Sequence, residues 1–298
     1  MLLNDRVAVV TGGGSGLGRA HARYLASQGA KVVVNDLAAE AAEAVAEEIR
    51  SAGGSALAFA ASVTDEAAVA SMVEATVGEW GRIDILIDNA GILRDKSFAK
   101  MSIEDFRLVI DVHLMGSVIC TKAVWEIMRA QNYGRILMTT SSSGLFGNFG
   151  QSNYGAAKMA LVGLMQTLAI EGQKYNIRVN SLAPTAATQM TRDILPEASL
   201  ELLAPDHVSP GLLALVAEGA PTRAILCAGA GHFAMSNITL TDGLFIGSEE
   251  GAGEAVIGNW AAISDRSGEI VPAYGFTQAE REVASATGSE TPKIAASR

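Results

Sequence analysis

The stretch Val7-Ala8-Val9-Val10-Thr11-Gly12-Gly13-Gly14-Ser15-Gly16-Leu17-Gly18 decides the fold. Four apolar, mostly β-branched residues read as a short strand, and the glycine run leads directly into an Ala-rich segment, Ala20 to Gln28, with helical patterning. Between the two the backbone must turn sharply. Glycines without Cβ atoms let it approach a pyrophosphate, whose oxygens can accept from N–H groups in the first helical turn. The spacing is Gly-x-x-x-Gly-x-Gly over Gly12, Gly16 and Gly18, with Ser15 and Leu17 inside the loop. It departs from Gly-x-Gly-x-x-Gly, whose third glycine would fall at Leu17. Taken alone, such a run is also compatible with a plain tight turn.

Working outward, apolar runs at Lys31 to Asn35, Ala56 to Val63, Ile83 to Asp88, Arg135 to Thr140 and Ile177 to Leu182 alternate with helical stretches at Glu40 to Arg50 and around 66–80, 103–131 and 154–174. Strands that are apolar throughout are expected where helices cover both faces of a parallel sheet. The pattern predicts an α/β chain with a doubly wound, Rossmann-like parallel sheet. It is read as a single dinucleotide-binding domain over 1–245 with a C-terminal extension over 246–298. Gly29 and Gly53 act as helix stops, and Ser102-Ile103-Glu104-Asp105 resembles a capping box. After Pro184 the pattern loosens through Pro196, Pro205, Pro210 and Pro221, as expected of a mobile or ligand-covering segment, and the tail from Ser285 to Arg298 is expected to fray.

Composition removes several classes of function. Lys plus Arg number 22 against 32 Asp plus Glu, a formal charge of −10 that disfavours nucleic acid as a partner. With 49% hydrophobic and 18% charged residues the chain is too apolar for a disordered regulator. Cys120 and Cys227 lie far apart without metal-ligand spacing, so neither a disulfide framework nor a metal site is expected, and a reducing compartment is the default. Early charges at Asp5 and Arg6 and the short apolar run after them do not suit a signal peptide, and no apolar stretch approaches about 18 residues. A cytoplasmic protein, or one of an organelle matrix, is expected.

Asp36 closes the second strand about 20 residues beyond the glycine loop, where a carboxylate can accept from ribose hydroxyls and would repel a 2′-phosphate. This favours NAD over NADP, with Arg19 beside the loop as a possible offset; a solvated helix cap is the other reading of Asp36. Asn89-Ala90-Gly91 follows the fourth strand, and Ser141 follows the fifth. Tyr154 and Lys158, four apart on a helix, share a face. A nearby ammonium lowers the pKa of a phenol, normally about 10, by roughly 1–3 units, which would make Tyr154 a usable acid and base. Ser141 can then hold the substrate oxygen, and Lys158 can also grip the nicotinamide ribose. Alone, a Tyr-x-x-x-Lys is commonly just a partly exposed pair. In this company the parts converge beyond the carboxyl ends of the strands, where ligands sit in such sheets.

Thr-Gly-x-x-x-Gly-x-Gly, Asn-Ala-Gly, Ser and Tyr-x-x-x-Lys, in this order over roughly residues 5–245, resemble the short-chain dehydrogenase/reductase family. Within it, Gly144-Leu145-Phe146-Gly147-Asn148-Phe149-Gly150-Gln151 and Asp111-Val112-His113-Leu114 resemble the dehydrogenase part of peroxisomal multifunctional enzymes of type two, also described as type four 17β-hydroxysteroid dehydrogenases. The resemblance implies NAD-dependent oxidation of (3R)-3-hydroxyacyl-CoA by a free-standing dehydrogenase. It implies catalytic roles for Ser141, Tyr154 and Lys158, cofactor contacts at Asn89, Ala90 and Gly91, an adenine contact at Ser62-Val63, and a nicotinamide contact at Pro184, where Pro184-Thr185 replaces the usual Pro-Gly.

His113 stands where most members have Asn. Its implied role is to hold, through its backbone carbonyl, a water that relays protons to Lys158; a structural role at a helix irregularity is the alternative. Leu145, Phe146, Phe149 and Gln151 are the substrate-lining candidates. The extension is implied to cover a substrate site or a neighbouring subunit, and the Tyr154 to Glu171 helix to form a homodimer or homotetramer, or else to pack internally. A hydroxysteroid or other bulky alcohol is an alternative substrate, and a non-catalytic NAD(H) sensor an alternative of another class. A serine hydrolase is poorly supported, because no Gly-x-Ser-x-Gly turn exists and His21, His113, His207 and His232 match no motif.

Overall fold

The computed structural model describes residues 1–187 and 200–288. Eight strands form one sheet in the order β3-β2-β1-β4-β5-β6-β7-β8. They are β1 (Val7–Val10), β2 (Lys31–Asp36), β3 (Ser55–Ala60), β4 (Ile85–Asp88), β5 (Gly134–Thr139), β6 (Ile177–Pro184), β7 (Ile225–Gly229) and β8 (His232–Ser236). The first seven run parallel and β8 returns antiparallel to β7. β1 pairs with β2 on one side and β4 on the other, so the chain reverses its direction of travel across the sheet at β1. This is the doubly wound, Rossmann-like arrangement the apolar runs predict.

Alternate strand residues feed two apolar layers. Val10, Val34, Ile87 and Leu137 pack with Leu25 of α1 (Gly16–Ser27), Val45 of α2 (Ala39–Ser51) and Leu212. Val9, Leu86, Ile136 and Met138 pack on the other face with Met72 of α3 (Glu66–Trp80), and with Cys120 and Leu161. Gly29 (φ 98°) and Gly53 (φ 85°) follow α1 and α2 in the left-handed region.

The stretch expected as one helix over 103–131 is interrupted. α4 (Ile103–Ile110) and α5 (Gly116–Gln131) are joined by a π-helical turn, Asp111–Met115. Together Ile103–Gln131 is long and apolar enough to cross a membrane by length and composition, with a hydropathy of 1.5, which corrects the expectation that no stretch comes near that length. Its Val109, Cys120, Val124 and Met128 are buried, the latter three in the core layer shared with the sheet, as in a core helix. Ser102 does cap α4, its Oγ accepting from Asp105 N at 3.0 Å.

β5 is followed by α6 (Ser142–Phe146) and α7 (Ser152–Gly172). Of the Pro-rich region, Pro196 lies outside the described residues. Pro205 opens a short 3-10 turn, and Pro210 sits in the first turn of α8 (Ser209–Val216), before a β7–β8 hairpin that the strand pattern did not indicate.

The chain divides into two compact units, Met1–Ser236 and Asn237–Arg298, a boundary set by the end of β8 rather than after residue 245. In the second unit Leu240 and Ile270 exchange both backbone bonds at 2.9 Å, and α9 (Ala252–Gly258), α10 (Trp260–Ile263) and α11 (Phe276–Thr287) follow one another. Ser285, expected in the frayed tail, is in α11; the tail beyond residue 288 lies outside the described residues.

Candidate active site

The glycine loop is pinned from several sides. Gly13 N donates to Asn35 O at 2.7 Å, and Asn89 Nδ2 donates to Thr11 O and Gly12 O at 3.0 and 3.1 Å. Thr11 Oγ1 accepts from Asn89 N and Ala90 N and donates to Ile87 O. Gly12 and Gly16 hold φ of 61° and 51°, in the region that favours glycine, and a Cβ on Gly18 would stand 2.0 Å from Gly12 O. Ser15 precedes α1 without a side-chain cap, so the first-turn N–H groups face the cleft.

Asp36 Oδ2 accepts from Gly14 N at 2.9 Å, and Oδ1 accepts from Ala38 N at 3.2 Å. Loop support and the approach to α2 are therefore both functions of this carboxylate. Arg19 does not turn toward it; its guanidinium forks onto Glu48 of α2 at 3.0–3.1 Å, and Arg23 joins at 3.4 Å.

The carboxyl ends of β1, β4, β5 and β6 border a cleft of about 430 Å³. In sheet order its walls carry Gly12, Ser15, Gly16, Leu17 and Gly18, then Asn89, Ala90 and Gly91, then Ser141 with Tyr154 and Lys158, then Pro184 and Thr185. His113 and Gln151 also line it. Asp36, Ser62 and Val63 belong to the same sheet edge but are not among these wall residues. Ser62 Oγ lies 2.8 Å from Thr64 Oγ1, and Val63 is buried against Gly116, where a Cβ would come within 2.6 Å of it.

Ser141 stands at the N-cap of α6, accepting from Ser143 N at 3.1 Å, and hydrogen-bonds to Tyr154. Lys158, fully inside, donates from Nζ to Thr139 O at 2.6 Å and lies 5.6 Å from the Tyr154 ring centroid. The electrostatics correct the expectation that Lys158 pulls the phenol down. Burial pushes Tyr154 above its ordinary value, the Ser141 hydrogen bond opposes this, and the Asp95 charge adds to it. Burial also pushes Lys158 down to about 7, against the attraction of Asp88. The ammonium is committed to a backbone carbonyl, and desolvation outweighs charge in this dry setting.

His113 sits on the π-turn, so the irregularity reading describes its place. Its Nε2 lies 2.8 Å from Ile92 O and 3.1 Å from Ile92 N, satisfied in either tautomer. The ring meets Tyr154 edge-on, with centroids 5.2 Å apart, and burial pushes its pKa down to about 3. Its backbone carbonyl, the group implied to hold a relay water, accepts from Ser117 Oγ at 2.8 Å.

At the far wall Gln151 ties α6 and its own α6–α7 loop to the loop after β4: Oε1 accepts from Ser143 Oγ at 2.7 Å and Asn148 Nδ2 at 3.1 Å, and Nε2 donates to Asp95 Oδ2 at 2.7 Å. The other three substrate-lining candidates are not brought into the cleft. Leu145 packs on the core layer that includes Leu161, while Phe146 at the end of α6 and Phe149 in the following loop are 70% and 90% exposed. Asn148 and Asp95 had no motif to mark them; their role arises from contacts across loops. Among the described residues no group of three His, Cys, Asp or Glu is placed to hold a metal. The glycine-shaped cradle, with no room for a Cβ at Gly18, fits a dinucleotide pyrophosphate.

Known proteins share much of this sequence and its fold. The short chain dehydrogenase family profile matches residues 6–198. Peroxisomal hydratase-dehydrogenase-epimerase of Saccharomyces cerevisiae is 45% identical over 273 residues, covering 88% of this chain and 30% of that protein. The solved full-length peroxisomal multifunctional enzyme type 2 of Drosophila melanogaster superposes with a TM-score of 0.79 at 39% identity, over 94% of this chain and 48% of that one. This chain thus spans less than half the length of these multifunctional relatives. A 7α-hydroxysteroid dehydrogenase solved with NADH and 7-oxo glycochenodeoxycholic acid gives a TM-score of 0.72 at 30% identity, covering 77% of this chain and 94% of that one. With its sheet, glycine loop and Ser-Tyr-Lys cleft, the chain belongs to the short chain dehydrogenase family and is an oxidoreductase acting on CH–OH groups.

Proposed function

We propose that the protein oxidises a secondary alcohol to a ketone with NAD, and that the alcohol is a (3R)-3-hydroxyacyl-CoA. The observation that carries this reading is the meeting of Ser141, Tyr154 and Lys158 with the glycine loop in one cleft. The likeness to the multifunctional enzymes supports the choice of substrate class. For the cofactor, Asp36 supports NAD, since it places a carboxylate against the loop while Glu48 neutralises the nearest cation, Arg19.

When bound, NAD supplies a hydride acceptor at its nicotinamide ring. Gly12 to Gly18 and the first turn of α1 would hold the pyrophosphate, and Asp36 would accept from a ribose hydroxyl. Ser141 Oγ orients the substrate oxygen, and Tyr154 Oη in its phenolate form takes the hydroxyl proton while the carbinol hydrogen would pass as hydride to the nicotinamide. Lys158 holds the nicotinamide ribose. An acidic chain does not attract CoA through its overall field, so acyl recognition rests on local contacts around Asn148 and Gln151.

Side-by-side turnover of a (3R)-3-hydroxyacyl-CoA, its CoA-free acid and a hydroxysteroid, each with NAD and NADP, tests the reading by nicotinamide absorbance. The thioester with NAD is expected to be fastest. A faster steroid would support the second reading, favoured by the likeness to the bile-acid-bound 7α-hydroxysteroid dehydrogenase. NADH binding without oxidation of any of them would support a sensor. Tyr154→Phe is expected to lower kcat by about 10²–10⁴-fold with NADH affinity little changed; wild-type turnover in that variant would contradict the mechanism. Exposed Met159 and Ile170 on α7 support a homodimer or homotetramer, which sedimentation would reveal. The peroxisomal relatives support an organelle matrix or the cytoplasm as its location.

A further inference from the structure

A second carboxyl lies behind Lys158. Asp88 closes β4 beside Asn89, and alternation along the strand turns it to the same face as Leu86, into the layer that also contains α5 and α7. It is 3% exposed. Thr121 Oγ1 on α5 donates to Oδ2 at 3.1 Å, whereas Oδ1 meets no donor among the described residues. Lys158 enters this layer from α7, equally buried, with Nζ held on Thr139 O. Thr139 follows Met138, the register partner of Asp88 on β5. An ammonium and a carboxyl thus share one dry compartment, and among the described residues neither forms an ion pair with a surface group.

Burial favours the neutral form of the other titratable groups facing this compartment. His113 on the π-turn is pushed down to about 3, the Cys120 thiol on α5 is pushed up by burial and by the Asp88 charge, and the Tyr154 phenol on α7 is pushed up by burial. Asp95 acts on Tyr154 from the cleft side. For the two remaining groups burial favours the uncharged form of each: Asp88 stands well above the carboxylate range and Lys158 is lowered to about 7. Their mutual attraction opposes burial in both cases.

We propose that Asp88 is a positioning residue for the reaction: held by Thr121, its carboxyl keeps the Lys158 amine charged and in place behind Tyr154. The proposal rests on the roles given above to Tyr154 and Lys158, but its main test needs no substrate. Lysine labelled with 13C at Cε is incorporated into the full chain, the Lys158 resonance is assigned with Lys158→Arg, and its titration midpoint is followed in the protein without cofactor. Asp88→Asn keeps an oxygen for Thr121 while removing the charge. It is expected to lower the Lys158 midpoint by about one pH unit or more. Thr121→Val, which removes the hydrogen bond favouring the carboxylate, is expected to lower it by a smaller amount.

An unmoved or raised Lys158 midpoint in folded Asp88→Asn overturns the proposal. If that variant does not fold, an unmoved midpoint in Thr121→Val overturns it instead. If the native protein oxidises no alcohol, the functional reading fails while the midpoint still decides the role of Asp88.

Discussion

At residue 91 a single added carbon would meet the catalytic scaffold. A Cβ on Gly91 would stand 2.2 Å from His113 Cε1, and the His113 ring is packed edge-on against Tyr154. Gly91→Ala is therefore expected to cost about 1–3 kcal/mol in urea denaturation and to reduce turnover by displacing Tyr154. Adding His113→Ala to that variant should restore part of the stability; no recovery would mean the clash is relieved elsewhere. Gly18→Ala has no such escape, because the obstacle is the backbone oxygen of Gly12, and loss of NADH binding by fluorescence is the expected result. That Gly12, Gly16, Gly18, Ser141, Tyr154 and Lys158 would meet in one cleft was legible in the sequence, because type, order and spacing put them at the ends of neighbouring strands. The opposing pulls on Tyr154 and Lys158 were not, since they depend on how completely each is enclosed. Gln151 could be singled out, but its bridge from Ser143 and Asn148 to Asp95 joins loops from different strands, and no local pattern encodes that.

Among the elements, the strands from β1 to β6 were readable to within a few residues, because the inner ones, buried on both faces, are apolar runs, and the half-covered edge strand β3 is still mostly apolar. β8 was not: His232, Phe233, Ala234 and Met235 are exposed, so neither a run nor a clean alternation marks it. The π-turn between α4 and α5 was also hidden, since apolar periodicity continues across it; only the resemblance, which set His113 apart, suggested an irregularity there. Helix starts were more informative where a side chain caps them. Asp65 Oδ1 accepts from Ala67 N and Ala68 N, both at 3.0 Å, at the start of α3. Asp65→Ala is expected to destabilise the fold by about 1 kcal/mol in urea, with NADH affinity unchanged because α3 lines no part of the cleft. An effect on cofactor binding as large as that on stability would show that α3 supports the loop after β3.

For the whole molecule, two buried histidines connect stability to pH. His21 is fully enclosed with Nδ1 2.9 Å from Ser209 Oγ, joining α1 to α8, and burial pushes its pKa down to about 4; His113 is down to about 3. An unfolded chain takes up protons on both below about pH 6.5, whereas the folded protein resists until these lower values. Their stabilisation is complete above about pH 6.5 and is lost as the pH falls toward 4, on the order of 3 kcal/mol for His21 alone. The urea midpoint should therefore drop between about pH 7 and 4.5, and drop less in His21→Asn; a constant midpoint would contradict this. The division into two units could not be placed from composition, because nothing resembling a linker marks the step from Ser236 to Asn237. The bonds on the glycine loop have a consequence in time. Thr11 and Gly12 are tied to Ile87, Asn89 and Ala90, between 76 and 79 positions away, so the glycine loop lacks these bonds until the fourth strand has been synthesised and slotted beside the first. A nascent chain halted before that point would carry the complete nucleotide signature and yet have nowhere to put a nucleotide.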